Sequence, residues 1–208
     1  MLVCGVDEAG RGSMLGPLVV AAITIDKSKI DTLSKIGVKD SKKLSAKARE
    51  SLYKQIIKLV DNYAVSKATP KQIDSAVAGH NLNNLEAQHM AKVIKKLQPS
   101  ISYVDSCDVN ATRFGKELAR LSKTGKIKSY HHADSKFVVV SAASIIAKVT
   151  RDRAISKLAK SHPVGSGYPS DPKTVQFVKN WFSKNHTMPD YVRKSWAPVK
   201  LIVSQPLA

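Results

Sequence analysis

A mixed α/β sheet with helices packed on it, closed by a small C-terminal helical appendage, is the fold class that this 208-residue sequence predicts. Three observations lead there. Short apolar, β-branched runs come first as a cluster and then alternate with segments of helical periodicity. Hydrophobic residues make up 43% of the chain, enough for a real core. Several of the apolar runs end in a carboxylate, as buried strands do when they reach the rim of a sheet.

The elements follow in order. Residues 2–6 form an apolar run that leads into Asp7-Glu8-Ala9-Gly10-Arg11-Gly12, a strand entering a glycine-punctuated turn. Residues 18–25 read as a buried strand started by Gly16-Pro17. Asp40-Ser41-Lys42-Lys43-Leu44-Ser45 is a polar loop, and Ser45 caps a helix over 46–60 whose Leu52, Ile56, Ile57 and Val60 share one face. Residues 63–65 suggest a third strand. Thr69-Pro70 opens a short helix, and a longer one runs over 84–97 until Pro99. Residues 101–105 form another strand and 111–121 a helix, with Asp108 expected as its cap. Residues 127–133 are expected as a strand ending at Asp134, before a long helix over 138–158. A loop rich in Pro, Gly and Ser spans 161–171, and Asp171 caps a helix over 172–184. The tail, with Tyr191, Arg193, Lys194 and Trp196, is aromatic and basic. The expected division is therefore a main domain at 1–160 and an extension at 161–208 packed on it.

Charge narrows the function. The chain has 34 Lys and Arg against 16 Asp and Glu, a net of +18. Residues 121–208 alone have 15 basic and four acidic side chains. Such a balance points to a polyanionic partner, most often nucleic acid. No apolar run approaches the ~20 residues that cross a bilayer. The start, Met1-Leu2-Val3-Cys4-Gly5-Val6-Asp7, lacks the features of a signal peptide, which predicts a cytosolic protein. Cys4 and Cys107 have neither disulfide-framework nor zinc spacing and are expected as buried free thiols beside strand ends. The adjacent His131 and His132 would point to opposite faces of a strand and are not expected to bind metal.

Asp7, Asp105 and Asp134 each follow an apolar run. Three such strands side by side would gather three carboxylates at one rim. Glu8, next to Asp7, would face the other way in a continuing strand and joins the group only if the chain turns at Ala9-Gly10. Gathered carboxylates repel one another unless cations neutralise them, and hard oxygen ligands suit Mg²⁺ or Mn²⁺. A carboxylate-bound metal pair clamps a phosphate during hydrolysis.

These residues resemble a known family. The block Asp7-Glu8-Ala9-Gly10-Arg11-Gly12 with Gly16-Pro17-Leu18-Val19-Val20 resembles the opening signature of type 2 ribonuclease H, ribonuclease HII. Asp40-Ser41-Lys42-Lys43-Leu44, Tyr103-Val104-Asp105, the stretch from Asp134 through 140–152, and Gly165-Ser166-Gly167-Tyr168-Pro169 are similar to its later blocks, in family order. Val192-Arg193-Lys194-Ser195-Trp196 looks more like the archaeal and eukaryotic branch than the bacterial one. One departure is Ser13, where the family usually has proline, and the loss of a ring is expected to loosen the turn slightly.

The resemblance implies an RNase H-like sheet and an endonuclease that hydrolyses the RNA strand of RNA–DNA hybrids. It also implies cutting 5′ to ribonucleotides embedded in duplex DNA, leaving 5′-phosphate and 3′-hydroxyl ends. Asp7, Glu8, Asp105 and Asp134 would hold two divalent ions, Mg²⁺ or Mn²⁺. Gly10, Arg11 and Gly12 would read a ribose 2′-OH at close backbone range. Tyr168 would stack on the neighbouring deoxyribose, and Lys42, Lys43, Lys148, Arg151 and Arg153 would touch phosphates. The protein would act as a cytoplasmic monomer in DNA replication and repair, away from membranes. Two other readings share some of these features. A basic RNA-binding protein without activity explains the charge but not the acids, and a different RNase H-like nuclease lacks the Gly10-Arg11-Gly12 turn and Tyr168.

Overall fold

The computed structural model describes residues 1–38 and 44–204. They form two compact units. The first comprises Met1–Ala9, Val19–Lys67 and Asn83–Val149; the second comprises Gly10–Leu18, Ala68–Leu82 and the chain from Thr150 onward. The second unit is discontinuous in sequence: the 10–18 and 68–82 segments pack with the C-terminal residues.

The first unit is built on a five-stranded sheet among the described residues: β1 (Leu2–Ala9), β2 (Leu18–Asp26), β3 (Asn62–Ala68), β4 (Ile101–Asp105) and β5 (Lys126–Tyr130). The strand order is β3-β2-β1-β4-β5. β1 pairs antiparallel with β2, and parallel with β4, which pairs parallel with β5. The sheet is mixed, as its residues predicted.

In chain order the helices are α1 (Ile30–Lys35), α2 (Ala46–Leu59), α3 (Pro70–Ala78), α4 (Leu82–Leu97), α5 (Ala111–Ser122), α6 (Ala133–Lys136), α7 (Val138–Ala159), α8 (Pro172–Asn185) and α9 (Ala197–Ser204). The caps follow local chemistry. Ser45 accepts the N–H of Ala48, Thr69 and Gln72 form a reciprocal capping box, and Asp171 accepts the N–H of Lys173. The cap of α5 is Asn110, whose side chain accepts the N–H of Arg113. Asp108, expected in that place, instead accepts the Asn110 N–H at 2.8 Å and both its oxygens take the Arg113 guanidinium at 2.7 Å.

Alternation along the strands sorts the core of this unit. Val3 and Ala9 of β1 pack with Val139, Ala142, Ile145 and Ile146 of α7 and with Leu52 and Ile56 of α2. Cys4 and Val6 pack on the other face with Met90 and Ile94 of α4 and Phe114 and Leu118 of α5. Burying each large aliphatic side chain contributes about 1.5–3 kcal/mol. Gly5 permits the tightest approach: a Cβ there would lie 2.1 Å from the carbonyl oxygen of Val139. Cys4 is fully buried in mid-strand rather than at a strand end, and burial pushes its thiol up to about 12. Cys107 is not in a disulfide and is half-buried, rather than buried as expected.

The second unit has its own core, with Met14, Leu15, Ile155, Val164, Phe177, Val178, Val192 and Val199. His162, Phe177, Trp181 and Tyr191 form an aromatic cluster at ring separations of 5.2 to 6.3 Å. The carboxylate of Asp74 on α3 accepts the N–H groups of Lys194 and Ser195 at 3.0 and 2.8 Å. No helix among the described residues is long and apolar enough to cross a membrane.

Candidate active site

The acids of the first unit gather around β1 and β4. The parallel register sets Val6 opposite Val104, so Asp7 and Asp105, one residue further on, stand level at the same strand ends. Both side chains point to the α7 face, since alternate positions Val3 and Ile101 belong to that face. Asp7 is 5% exposed. Burial and the charge of Asp105 raise its carboxyl to about 7, while the Ser144 hydroxyl, the Glu8 N–H and the charge of Lys148 pull the other way. A buried carboxylate close to a second, half-buried one favours a proton or a cation.

Asp134 is not at a strand end. β5 stops at Tyr130, and His132 adopts a left-handed conformation with φ of 55°. The Ala133 N–H that follows is donated to Asp105 at 2.7 Å. The chain therefore enters α6, and Asp134 sits buried in its first turn. Phe137, just after α6, packs on Tyr103 at 4.5 Å and on Tyr130 at 5.2 Å, which pins this segment to the sheet.

The strand pleat decides on which side Glu8 starts. β1 keeps its register with β2 through Ala9, with Glu8 opposite Val20 and Ala9 opposite Val19. The chain does not turn soon enough, so the pleat sets Glu8 on the face opposite Asp7. Among the described residues, no three or more His, Cys, Asp or Glu side chains stand as a group able to hold a metal ion. The donors nevertheless fit a hard divalent ion in kind: they are carboxylates, and the Asp7 carboxyl, raised first by burial and then by the charge of Asp105, is one that a cation would relieve. Lys148 donates to Ser144 Oγ at 2.9 Å and its charge acts on Asp7. Lys42 and Lys43 lie outside the described residues.

The second unit holds the other candidates. Residues 10–13 close a turn through Ser13 N–H to the Gly10 carbonyl at 3.3 Å. Gly10 has φ of +85°, and a Cβ there would meet the Pro17 carbonyl oxygen at 2.9 Å, so glycine is required by the turn itself. Gly12 is exposed, has no positive φ, and among the described residues has nothing beyond its chain neighbours within 4 Å of where a Cβ would stand. Arg193, fully buried, donates to the carbonyls of Arg11 at 2.8 Å and Gly16 at 3.1 Å. It fixes the shape of the turn, a role the sequence did not suggest because a tail arginine in a basic chain reads as a surface charge. Tyr168 is half-buried, with its ring 4.2 Å from the Arg151 guanidinium. Its loop is held by Asp171, which accepts the Ser166 N–H at 2.6 Å, and by Thr174, which accepts the Gly167 N–H at 2.9 Å. Arg153 is exposed, whereas Arg151 is buried.

A family model described as Ribonuclease HII matches residues 4–199. A curated Ribonuclease HII of Cenarchaeum symbiosum (strain A) is 55% identical over 202 residues, covering 97% of this chain and 98% of that protein. The crystal structure of the ribonuclease H2 from Pyrococcus horikoshii OT3 superposes with a TM-score of 0.91 at 42% identity, covering 98% of this chain and 97% of that one. The RNase HII in a PCNA:RNase HII complex from Archaeoglobus fulgidus gives 0.89 at 40% identity, over 99% and 98%.

Proposed function

As a member of the ribonuclease HII family, the chain is a type 2 ribonuclease H that cuts the RNA strand of RNA–DNA hybrids, and we propose that it also cuts duplex DNA 5′ to a single embedded ribonucleotide, using two divalent ions. The level pairing of Asp7 and Asp105, with the Asp7 carboxyl raised, carries this reading. Mg²⁺ or Mn²⁺ held by Asp7, Glu8, Asp105 and Asp134 would polarise the scissile phosphate and lower the pKa of water, supplying the nucleophile and stabilising the leaving oxygen.

The chain's own residues have distinct tasks. Asp7 and Asp105 supply adjoining oxygens from rigid strand ends. Asp134 is delivered by the turn that Asp105 itself caps, and Glu8 adds a carboxylate from the same end of β1. Lys148 offsets part of the carboxylate charge. Gly12 presents bare backbone, and the 2′-OH is the group that such a turn can sense. Tyr168 offers an aromatic face to a sugar that lacks a 2′-OH. Arg11 and the exposed Arg153, with Lys42 and Lys43, supply cationic contacts to the phosphates. A net charge of +18 fits a nucleic-acid duplex as substrate.

Cleavage of three duplexes, with no, one and four consecutive ribonucleotides, with and without Mg²⁺, tests the proposal. Cutting of the second and third only, on the 5′ side of the lone ribonucleotide and only with metal, is expected. Cleavage of the four-ribonucleotide duplex alone would remove the junction reading and leave the nuclease.

A further inference from the structure

Arg151 is a phosphate contact by resemblance, but its surroundings describe another task. The side chain is 3% exposed. Its Nη2 donates to Ser13 Oγ at 2.8 Å and to the Ser166 carbonyl at 2.6 Å, and its Nη1 to Asp152 at 3.2 Å. The guanidinium carbon of the same side chain lies over the Tyr168 ring, 4.2 Å from its centroid. A planar cation held at its edge by fixed acceptors makes a rigid shelf for an aromatic ring.

Ser13 is the fixed acceptor. It is fully buried, and its Oγ lies 2.8 Å from both the Leu15 and the Gly167 carbonyl oxygens. A hydroxyl has one proton, so it donates to one carbonyl at a time while its lone pairs receive the Arg151 proton. This single atom thus ties the 10–13 turn to the loop that bears Tyr168. Gly167 fits the junction with φ of +83°; a Cβ there would lie 2.7 Å from Arg151 Nη2 and 3.2 Å from Ser13 Oγ. Proline at position 13 has neither the hydroxyl nor the N–H that Ser13 donates to Gly10. Ser13 therefore offers a hydrogen-bonded cross-link where proline would offer ring stiffness.

We infer that Ser13 and Arg151 are a positioning pair that sets where the Tyr168 ring stands, and through it the preference for a ribose followed by a deoxyribose. The inference rests on the junction reading of Tyr168 given above. Neither residue needs to touch the reacting phosphate: Arg151 supports one face of the ring, and Ser13 holds Arg151 and the loop in register. The Met14 N–H also donates to the Gly167 carbonyl, at 2.8 Å, so the two segments stay joined when the hydroxyl is removed. Ser13→Ala should fold.

The test combines a spectroscopic and a kinetic readout. The chain has six tyrosines; with ¹³C-labelled tyrosine rings, the Tyr168 resonance is assigned by its absence in Tyr168→Phe. That resonance should move in both Ser13→Ala and Arg151→Lys. The ratio of cleavage rates, one-ribonucleotide over four-ribonucleotide duplex, should fall about tenfold in Ser13→Ala, the size of effect that misplacing a positioning contact produces. An unmoved resonance in either variant, or an unchanged ratio, overturns the inference. Tyr168→Ala serves as the separate control: if it leaves the ratio at the wild-type value, the junction reading fails, and the resonance alone then decides whether Ser13 and Arg151 position the ring.

Discussion

The Asp105 carboxylate accepts the backbone N–H of Ala133 at 2.7 Å, so the side chain that faces Asp7 also starts the helical turn that carries Asp134. Charge and geometry can be separated at this residue. Asp105→Asn keeps an oxygen acceptor for the N–H and removes the charge that acts on Asp7, so cleavage should fall by orders of magnitude with no loss in the urea midpoint. Asp105→Ala removes both and should cost a further ~1 kcal/mol of stability, the usual worth of such a capping bond. Equal stability of the two variants would mean that the bond does not hold the turn.

Stability without metal should fall as the pH rises. Asp7 has an ordinary value of 3.8 and is raised to about 7 in the fold. Between those values the folded chain holds a proton that the unfolded chain has released, so stability declines from about pH 4 to about pH 7 and then levels. In EDTA, thermal unfolding at pH 5.5 should therefore occur at a higher temperature than at pH 8, and Asp7→Asn should narrow that difference. Saturating Mg²⁺ at pH 8 should recover stability in the wild type by mass action, and less in the variant. A wild-type midpoint that rises with pH in EDTA to the same extent as that of Asp7→Asn would contradict the raised carboxyl.

Gly5 tests the packing under the site. A Cβ there would sit 2.1 Å from the Val139 carbonyl oxygen and 2.6 Å from the Val140 nitrogen, both of them backbone atoms. A helix cannot yield as a flexible side chain can, so Gly5→Ala should destabilise by about 3 kcal/mol or more, at the upper end for overpacking. Denaturant unfolding measures it. A loss under about 1 kcal/mol would mean that α7 can lift away from β1 at little cost.

Much of this was legible in local chemistry. Strand alternation, the Ser45, Thr69 and Asp171 caps and the placement of Asp7 and Asp105 all depend on neighbours in sequence, and they emerged from it. What did not emerge depends on distant partners. The stop of β5 at Tyr130 needs a left-handed His132 and an N–H acceptor from β4, 28 residues earlier in the chain. The choice of Asn110 over Asp108 as cap follows from Arg113 engaging both Asp108 oxygens. The buried roles of Arg151, Arg193 and Ser13 are set by carbonyls up to 182 residues away, which no local pattern announces. The discontinuous second unit was hidden for the same reason.

Gly12 separates the demands of the fold from those of the substrate. Its backbone has no positive φ, and among the described residues no atom beyond its two chain neighbours lies within 4 Å of the place a methyl group would take there. The fold itself gives no reason for glycine here, in contrast to Gly10, whose φ of +85° and contact with the Pro17 carbonyl forbid a side chain. Replacing a glycine by alanine at a compatible conformation stabilises by about 0.4–1 kcal/mol, by reducing the freedom of the unfolded chain. Gly12→Ala should therefore be as stable as the wild type or slightly more so. If the turn senses a 2′-OH at backbone range, the added methyl group occupies the space the ribose must enter, and KM for a hybrid should rise by about tenfold or more. Gly10→Ala should instead lose stability and activity together. Thermal unfolding and steady-state cleavage on the same preparations distinguish the two glycines. A Gly12→Ala protein with normal KM and kcat would show that the ribose is read elsewhere.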